Sequence, residues 1–300
     1  MMSGWRKMRG KAGINGTAAM IWELIKAHLS IFIGLSAVSG YYLSGPIDSD
    51  RALMVGLLVF CLASGAACLN NIQDRRFDAH FRRTCKRALP SGRIPVMHAG
   101  ILAIGLITTG LWGLARYFNW QAFVLGTLSL ICYNALYTPM KKKTTLAIIP
   151  GTVCGMLGPA IGWAAGGEIA ITREIISLMV VFGVWQMTHY LLLVFNTRTD
   201  IRHTPFPSLA KAFSNIDLRL HILIWSGIYC MAMIYFLWIS PLRFTPLSVV
   251  LAVIILLTIP IVYLALYGYG RMTKGNSGFY FINLSMLVFM TSYITDALVV

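Results

Sequence analysis

The run ALMVGLLVFCLASGAACL (Ala52–Leu69) passes directly into NNIQDRRFDAHFRRTCKRALPSGR (Asn70–Arg93). The first part is apolar enough for a membrane span; the second is densely charged. Asn70, Asp74 and Asp78 recur at every fourth position, so on a helix they form one stripe. Carboxylates four residues apart repel by a few tenths of a kcal/mol, which makes the stripe poor as a structural helix face. It suits a hard divalent cation, which takes carboxylate and amide oxygens and completes its shell with water and substrate phosphate. Arg75, Arg76, Arg82, Arg83, Lys86, Arg87 and Arg93 crowd around the acids. Acids for a metal among bases for an anion point to a metal-diphosphate site. The bases alone have a second reading, as the positive cytoplasmic loop that follows a span. The charged stretch is too polar to span and is expected at the surface.

Three hundred residues, 57% hydrophobic and 12% charged, exclude an ordinary soluble domain. Apolar runs at about 21–43, 52–69, 97–117, 119–138, 145–166, 174–196, 219–240, 245–268 and 278–298 predict nine membrane helices, an all-α polytopic protein in a lipid bilayer. The net charge of +15 invites a nucleic-acid reading, but its distribution opposes one. With the N-terminus in the cytoplasm, Arg51, Arg116, Arg173 and Arg243 fall on the outer side and every other Lys and Arg on the inner. That asymmetry predicts N-terminus in, C-terminus out, and the Asn70, Lys141 and Arg198–Arg219 segments on one cytoplasmic face. Residues 1–19 are basic without an apolar core, so no signal peptide is read there. The six cysteines show no metal spacing and read as structural or incidental thiols.

Lys26, with Glu23 and His28, stands at the cytoplasmic end of the first run, as an interfacial anchor or a contact to an anionic ligand at the mouth. Lys141-Lys142-Lys143 reads as a topogenic signal first and an anion clamp second. The spacings Gly151/Gly155 and Gly158/Gly162 allow close helix approach, and Pro159 can bend its helix. Gln186 and His189 lie inside a span and are expected to face the bundle interior, as hydrogen bonders or acceptor contacts. Asn196 and Asp200 repeat the four-residue spacing, 126 residues after Asn70 and Asp74. This weak symmetry divides a single membrane-embedded domain, 1–300, into halves of about 20–140 and 145–268 plus a ninth helix at 278–298. Asp296 is expected near the outer surface.

These residues resemble the UbiA superfamily of intramembrane prenyltransferases, and within it the heme O synthase (protoheme IX farnesyltransferase) branch. The first family motif stands as Asn70, Asp74, Asp78, Arg83, Thr84, Arg87, Leu89 and Gly92; the branch pattern stands as Trp185, His189, Tyr190, Asp200 and Pro207; Tyr137, Thr138 and Lys142 match a further segment. The chain departs from it at Lys26-Ala27-His28, Lys86–Leu89, Asn196 and Thr199.

The resemblance implies nine helices around a central cavity at a bacterial cytoplasmic membrane. It implies Mg²⁺ held by Asn70, Asp74 and Asp78 and a second by Asn196 and Asp200, with Asp74, Asp78 and Asp200 essential to catalysis. Lys26, Arg83, Arg87 and Lys142 would bind the diphosphate of an isoprenyl substrate, farnesyl diphosphate in this branch, and Tyr137, Trp185 and His189 the acceptor. The acceptor implied is heme B, giving heme O; a quinone precursor or another aromatic is the alternative. A transporter or a non-catalytic heme carrier are the readings from other classes.

Overall fold

The computed structural model describes residues 14–45, 48–81, 84–168, 170–202, 207, 209–268 and 276–299, with no account of the side chains at 14, 15 and 200–202. Arg83, the side chain of Asp200 and the start of the chain therefore lie outside the described residues.

Among the described residues all regular structure is helical. Helix α1 (Ile14–Leu24) leads into α2 (Ala27–Leu43), then α3 (Ser49–Asp78) and α4 (Val96–Gly113). Next come α5 (Trp120–Leu130), one turn as α6 (Thr138–Met140), α7 (Ile148–Ala165), α8 (Arg173–Arg202) and a short α9 (Leu209–Ala212). The chain ends in α10 (Asn215–Ile239), α11 (Thr245–Tyr267) and α12 (Asn276–Val299). Eight helices among the described residues are long and apolar enough to cross a membrane, and up to nine if the bent pair α1–α2 counts as one span. Side chains such as Met97, Trp238 and Leu256 are exposed on this bundle, as expected of surfaces that face lipid.

The first span is not the single helix over 21–43 that its hydropathy predicts. α1 and α2 meet at a bend of 52°. At the break Lys26 adopts φ 48° and ψ 52°, a left-handed conformation that costs a non-glycine residue about 1–3 kcal/mol. Its ammonium is anchored on both α3 and the α5 region, which holds the residue there.

The charged stretch is at the surface only in part: Gln73, Arg76, His80, Lys86 and Arg93 are exposed, but the acidic stripe is not. α3 runs without a break from the apolar segment through Asp78, and Asn70 and Asp74 are only 1% and 3% exposed. The physical reason is that the stripe turns inward, where basic side chains from other elements replace its hydration.

Two apolar clusters form the core. One gathers Phe182, Trp185 and Leu192 of α8 with Tyr229, Phe236, Phe289 and Met290 of α10 and α12. The other gathers Ala37, Tyr41, Val59, Leu62 and Ile161 of α2, α3 and α7. α2 and α7 pack through small residues: a Cβ on Gly158 would meet the Ser36 hydroxyl, and one on Gly162 the Ala37 carbonyl oxygen. These are the glycines whose spacing predicts close approach.

Asp296 is buried rather than at the surface. Its carboxylate accepts the backbone N–H groups of Arg243 (3.1 Å) and Phe244 (2.7 Å), just before α11. It thus satisfies donors at a helix N-terminus from a distant helix, and its negative charge suits that end. Asp296→Ala is expected to cost about 1–2 kcal/mol, the range for losing a cap. A lowered melting temperature in detergent, largely restored by Asp296→Asn, checks this.

Candidate active site

A cavity of about 440 Å³ opens into the bundle and is lined by residues of α2, α3, α7, α8 and the region after α5. Both core clusters contribute to its wall: Val59, Leu62 and Ile161 from one, Phe182, Trp185 and Val194 from the other. On α3 the lining positions follow the helical repeat, from Val59 and Leu62 through Ala63, Ala66 and Ala67 to Asn70, Asp74 and Asp78. The same face is greasy below and oxygen-rich above. From Val59 to Asn70 this wall is about 16 Å long at 1.5 Å per residue.

The oxygen-rich end is ordered by a polar network. Asn70 donates through Nδ2 to Asp74 Oδ2 and to Thr138 Oγ1, both at 2.9 Å. Its Oδ1 accepts from Lys26 Nζ at 2.6 Å, and the same ammonium reaches Tyr133 Oη at 3.2 Å. Asp74 pairs with Lys141 through Oδ2, and Lys142 Nζ lies 2.9 Å from its Oδ1. Asp78 accepts from Arg87 Nη1 at 2.9 Å, and Thr84 Oγ1 donates to the Asp78 carbonyl. The Arg87 loop is tied down by Glu23, whose Oε1 accepts the Ala88 backbone N–H at 3.2 Å. Two carboxylates and an amide oxygen, each facing a basic side chain, define an oxygen-rich pocket in which basic groups outnumber acids.

After α5 the backbone winds as a π-helix over Ile131–Tyr137. This places Tyr133 and Tyr137 in the chamber with their rings stacked, 5.7 Å apart and 11° from parallel. π-turns inside longer helices are rare and concentrate at functional sites.

On α8, Phe182, Gln186, His189, Tyr190, Leu193 and Thr197 line the chamber, and Pro207 does so beyond the helix. The backbone remains helical through Asp200, three residues after Thr197, so that position falls on the next turn of the lining stripe. Asn196 is not among the lining residues; its Oδ1 is buried with no hydrogen-bond partner among the described residues. Lys142 also stays off the chamber wall, where Lys141 lines it instead.

A model of the UbiA prenyltransferase family matches residues 31–287. The chain belongs to that family. This UbiA-family chain is 33% identical over 205 residues to the protoheme IX farnesyltransferase of Geobacter sulfurreducens, covering 68% of this chain and 75% of the relative. It is 29% identical to that of Bdellovibrio bacteriovorus over 294 residues, covering 91% and 94% of the two chains. Among solved structures it resembles a UbiA homolog from Archaeoglobus fulgidus bound to GPP and Mg²⁺, with TM-score 0.69 and 14% identity over 94% of this chain and all of the other. That structural likeness carries the fold. The UbiA membership and the farnesyltransferase relatives make the chain an integral membrane prenyltransferase.

Within that family frame, sequence reasoning missed Tyr133 and Asn283, and of the lysine triplet it singled out Lys142 where Lys141 lines the chamber. Asn283, a polar residue inside an apolar span, carried a usable signal. The π-turn that presents Tyr133 did not, because helical periodicity assumes 3.6 residues per turn.

Proposed function

We propose that this protein transfers a farnesyl group from farnesyl diphosphate to heme B, giving heme O, with Mg²⁺ as cofactor. The observation that carries the transfer chemistry is the stripe of Asn70, Asp74 and Asp78, buried under basic side chains at the head of an apolar chamber. The farnesyl donor and heme acceptor rest on the protoheme IX farnesyltransferase names of the relatives.

The donor set fits Mg²⁺: hard oxygens from two carboxylates and an amide, with room for substrate phosphate beside them. Asn70, Asp74 and Asp78 would hold one ion, and Asp200, with the Oδ1 of Asn196, which is buried and has no partner among the described residues, a second. When bound, the metal supplies Lewis-acid stabilisation of the diphosphate.

The chain's own residues do the rest. Lys26, Arg87, Lys141 and Lys142 surround the acids and add preorganised positive charge where the leaving group gains negative charge. Arg83 belongs to the same matched motif and is assigned the same role. The C1–O bond breaks with its electron pair passing to the diphosphate, leaving an allylic cation. The apolar wall below Asn70 holds the prenyl chain and keeps water from the cation. A vinyl group of the heme donates its π pair to C1. Water then adds to the resulting cation and releases a proton, which completes the hydroxyethylfarnesyl group. Trp185, His189 and Tyr137 face the acceptor. The charge asymmetry supports a cytoplasmic position for the polar end, and the bacterial relatives support an inner membrane as the location. On that side Lys26, Asn70 and Lys141 meet, while Arg51 and the Tyr117 carbonyl pair at the other end.

The test incubates membranes carrying the protein with heme B, farnesyl diphosphate and Mg²⁺, followed by mass spectrometry of heme and quinone species. Farnesylated heme, lost on chelation of the metal, is the expected product. A prenylated quinone precursor with unchanged heme would assign the other acceptor.

A further inference from the structure

One polar chain in the chamber wall is not explained by diphosphate binding. The His189 ring sits deep on α8, eleven residues before Asp200, which is about 16 Å along the helix. Its Nδ1 lies 2.8 Å from Asn283 Oδ1 on α12. Asn283 in turn donates through Nδ2 to the Phe279 carbonyl at 2.6 Å. A carbonyl only accepts, so the amide nitrogen must face Phe279 and the amide oxygen must face the imidazole. That oxygen only accepts, so Nδ1 carries the proton. In the neutral ring Nε2 is left with its lone pair, and it has no hydrogen-bond partner among the described residues.

The ring is also held in place. Phe279 packs against it at 4.7 Å and Trp185 at 5.3 Å. Trp185 is fixed by its indole N–H to the Ile282 carbonyl (3.1 Å) and by stacking on Phe32. An imidazole whose Nδ1–H is bound by an outer oxygen, with Nε2 free and the ring clamped, has the arrangement of a metal-ligating histidine. Its softness selects among metals. The hard oxygens around Asp74 suit Mg²⁺, whereas imidazole nitrogen suits iron.

We infer that His189 Nε2 is an axial ligand to the iron of the heme acceptor, with Asn283 as the residue that sets its tautomer and orientation. This rests on heme being the acceptor. Ligation at the iron fixes the plane of the macrocycle on the α8 side of the chamber, so that one edge is presented to the prenyl cation. Binding of the acceptor is thereby separated from binding of the diphosphate, which uses oxygen and basic groups at the other end.

The experiment titrates the purified full-length protein in detergent with ferric heme B and records optical and electron paramagnetic resonance spectra. The wild type is expected to show histidine-ligated iron. His189→Gly should lose that signature and regain it with added imidazole; His189→Gln serves if the glycine variant does not fold. Asn283→Leu should keep the ligand but weaken heme binding by about 10- to 100-fold, the range for losing an outer-shell partner. Identical spectra and affinities for wild type and His189→Gly would overturn the ligand role, as they would if His189 were only a proton acceptor. Farnesyl transfer measured on the same preparations separates the two claims. Histidine-ligated heme that is never farnesylated removes the proposed reaction and leaves the ligand. Farnesylated heme without histidine ligation does the reverse, and a wild type that binds no heme removes both.

Discussion

Asp74→Ala is expected to lower prenyl transfer by at least about 10³-fold while leaving a folded membrane protein, the upper end of what one preorganised electrostatic contact contributes. Asp74 sits at the centre of the polar network, with Asn70 on one side and Lys141 and Lys142 on the other. Its removal takes away a proposed metal oxygen and also releases Lys141, on the chamber wall, and Lys142, just behind it, from the positions in which they are proposed to act on the diphosphate. A factor of 10³ corresponds to about 4 kcal/mol in the barrier. The cost to the fold is smaller. Asp74 is buried, but the two lysine side chains are 21% and 26% exposed, so once unpaired they can turn outward and rehydrate, which keeps the loss below the about 3–5 kcal/mol of a pair whose remaining charge stays buried. Asp74→Asn separates charge from shape: it keeps the volume and an acceptor for Asn70, and is expected to fail almost as badly. The check is the rate of product formation beside elution in detergent. Wild-type rates in both variants, with normal elution, would end the metal-diphosphate assignment.

The stripe behind that expectation was legible because its residue types are wrong for any other purpose. Repeated acids on a helix with a span before them leave few alternatives to a cation site. Its depth was not legible. Hydropathy treats Asn70–Arg93 as a surface loop, since it cannot know that Lys26, Arg87 and Lys141 return from distant parts of the chain to neutralise it. The break at Lys26 was hidden for a related reason. A left-handed lysine is disfavoured locally, and only the partners on α3 and after α5 hold it there. Asp296 is the same case at the other end of the bundle, where its two partners lie more than fifty residues away. Glycine spacing was more informative, because close approach of helices needs small residues at a fixed repeat whatever the partner.

Gly162→Val is expected to remove the fold rather than the chemistry. Even a Cβ at this position would overlap the Ala37 carbonyl oxygen and crowd the Tyr41 backbone nitrogen on α2. Those are backbone atoms, which cannot rotate away as a side chain would. Valine adds two methyl groups and is stiff about χ1, so the two helices must separate. Overpacking of this kind costs about 3 kcal/mol or more when the neighbour is rigid. The damage would spread, because α2 carries Phe32, Ile33 and Ser36 into the chamber wall and begins at Lys26. The expected result is aggregation or a large fall in melting temperature in detergent, with activity lost in proportion to folded protein. Gly105→Ala on α4 is the control: a Cβ there meets nothing within 4 Å, so its melting curve should match the wild type or improve slightly. The contrast with Asp74→Ala is the decisive part. One variant should be intact and inactive, the other inactive because it is not intact. A Gly162→Val protein that melts like the wild type would mean that α2 and α7 do not touch here, and the chamber they enclose would have to be drawn differently.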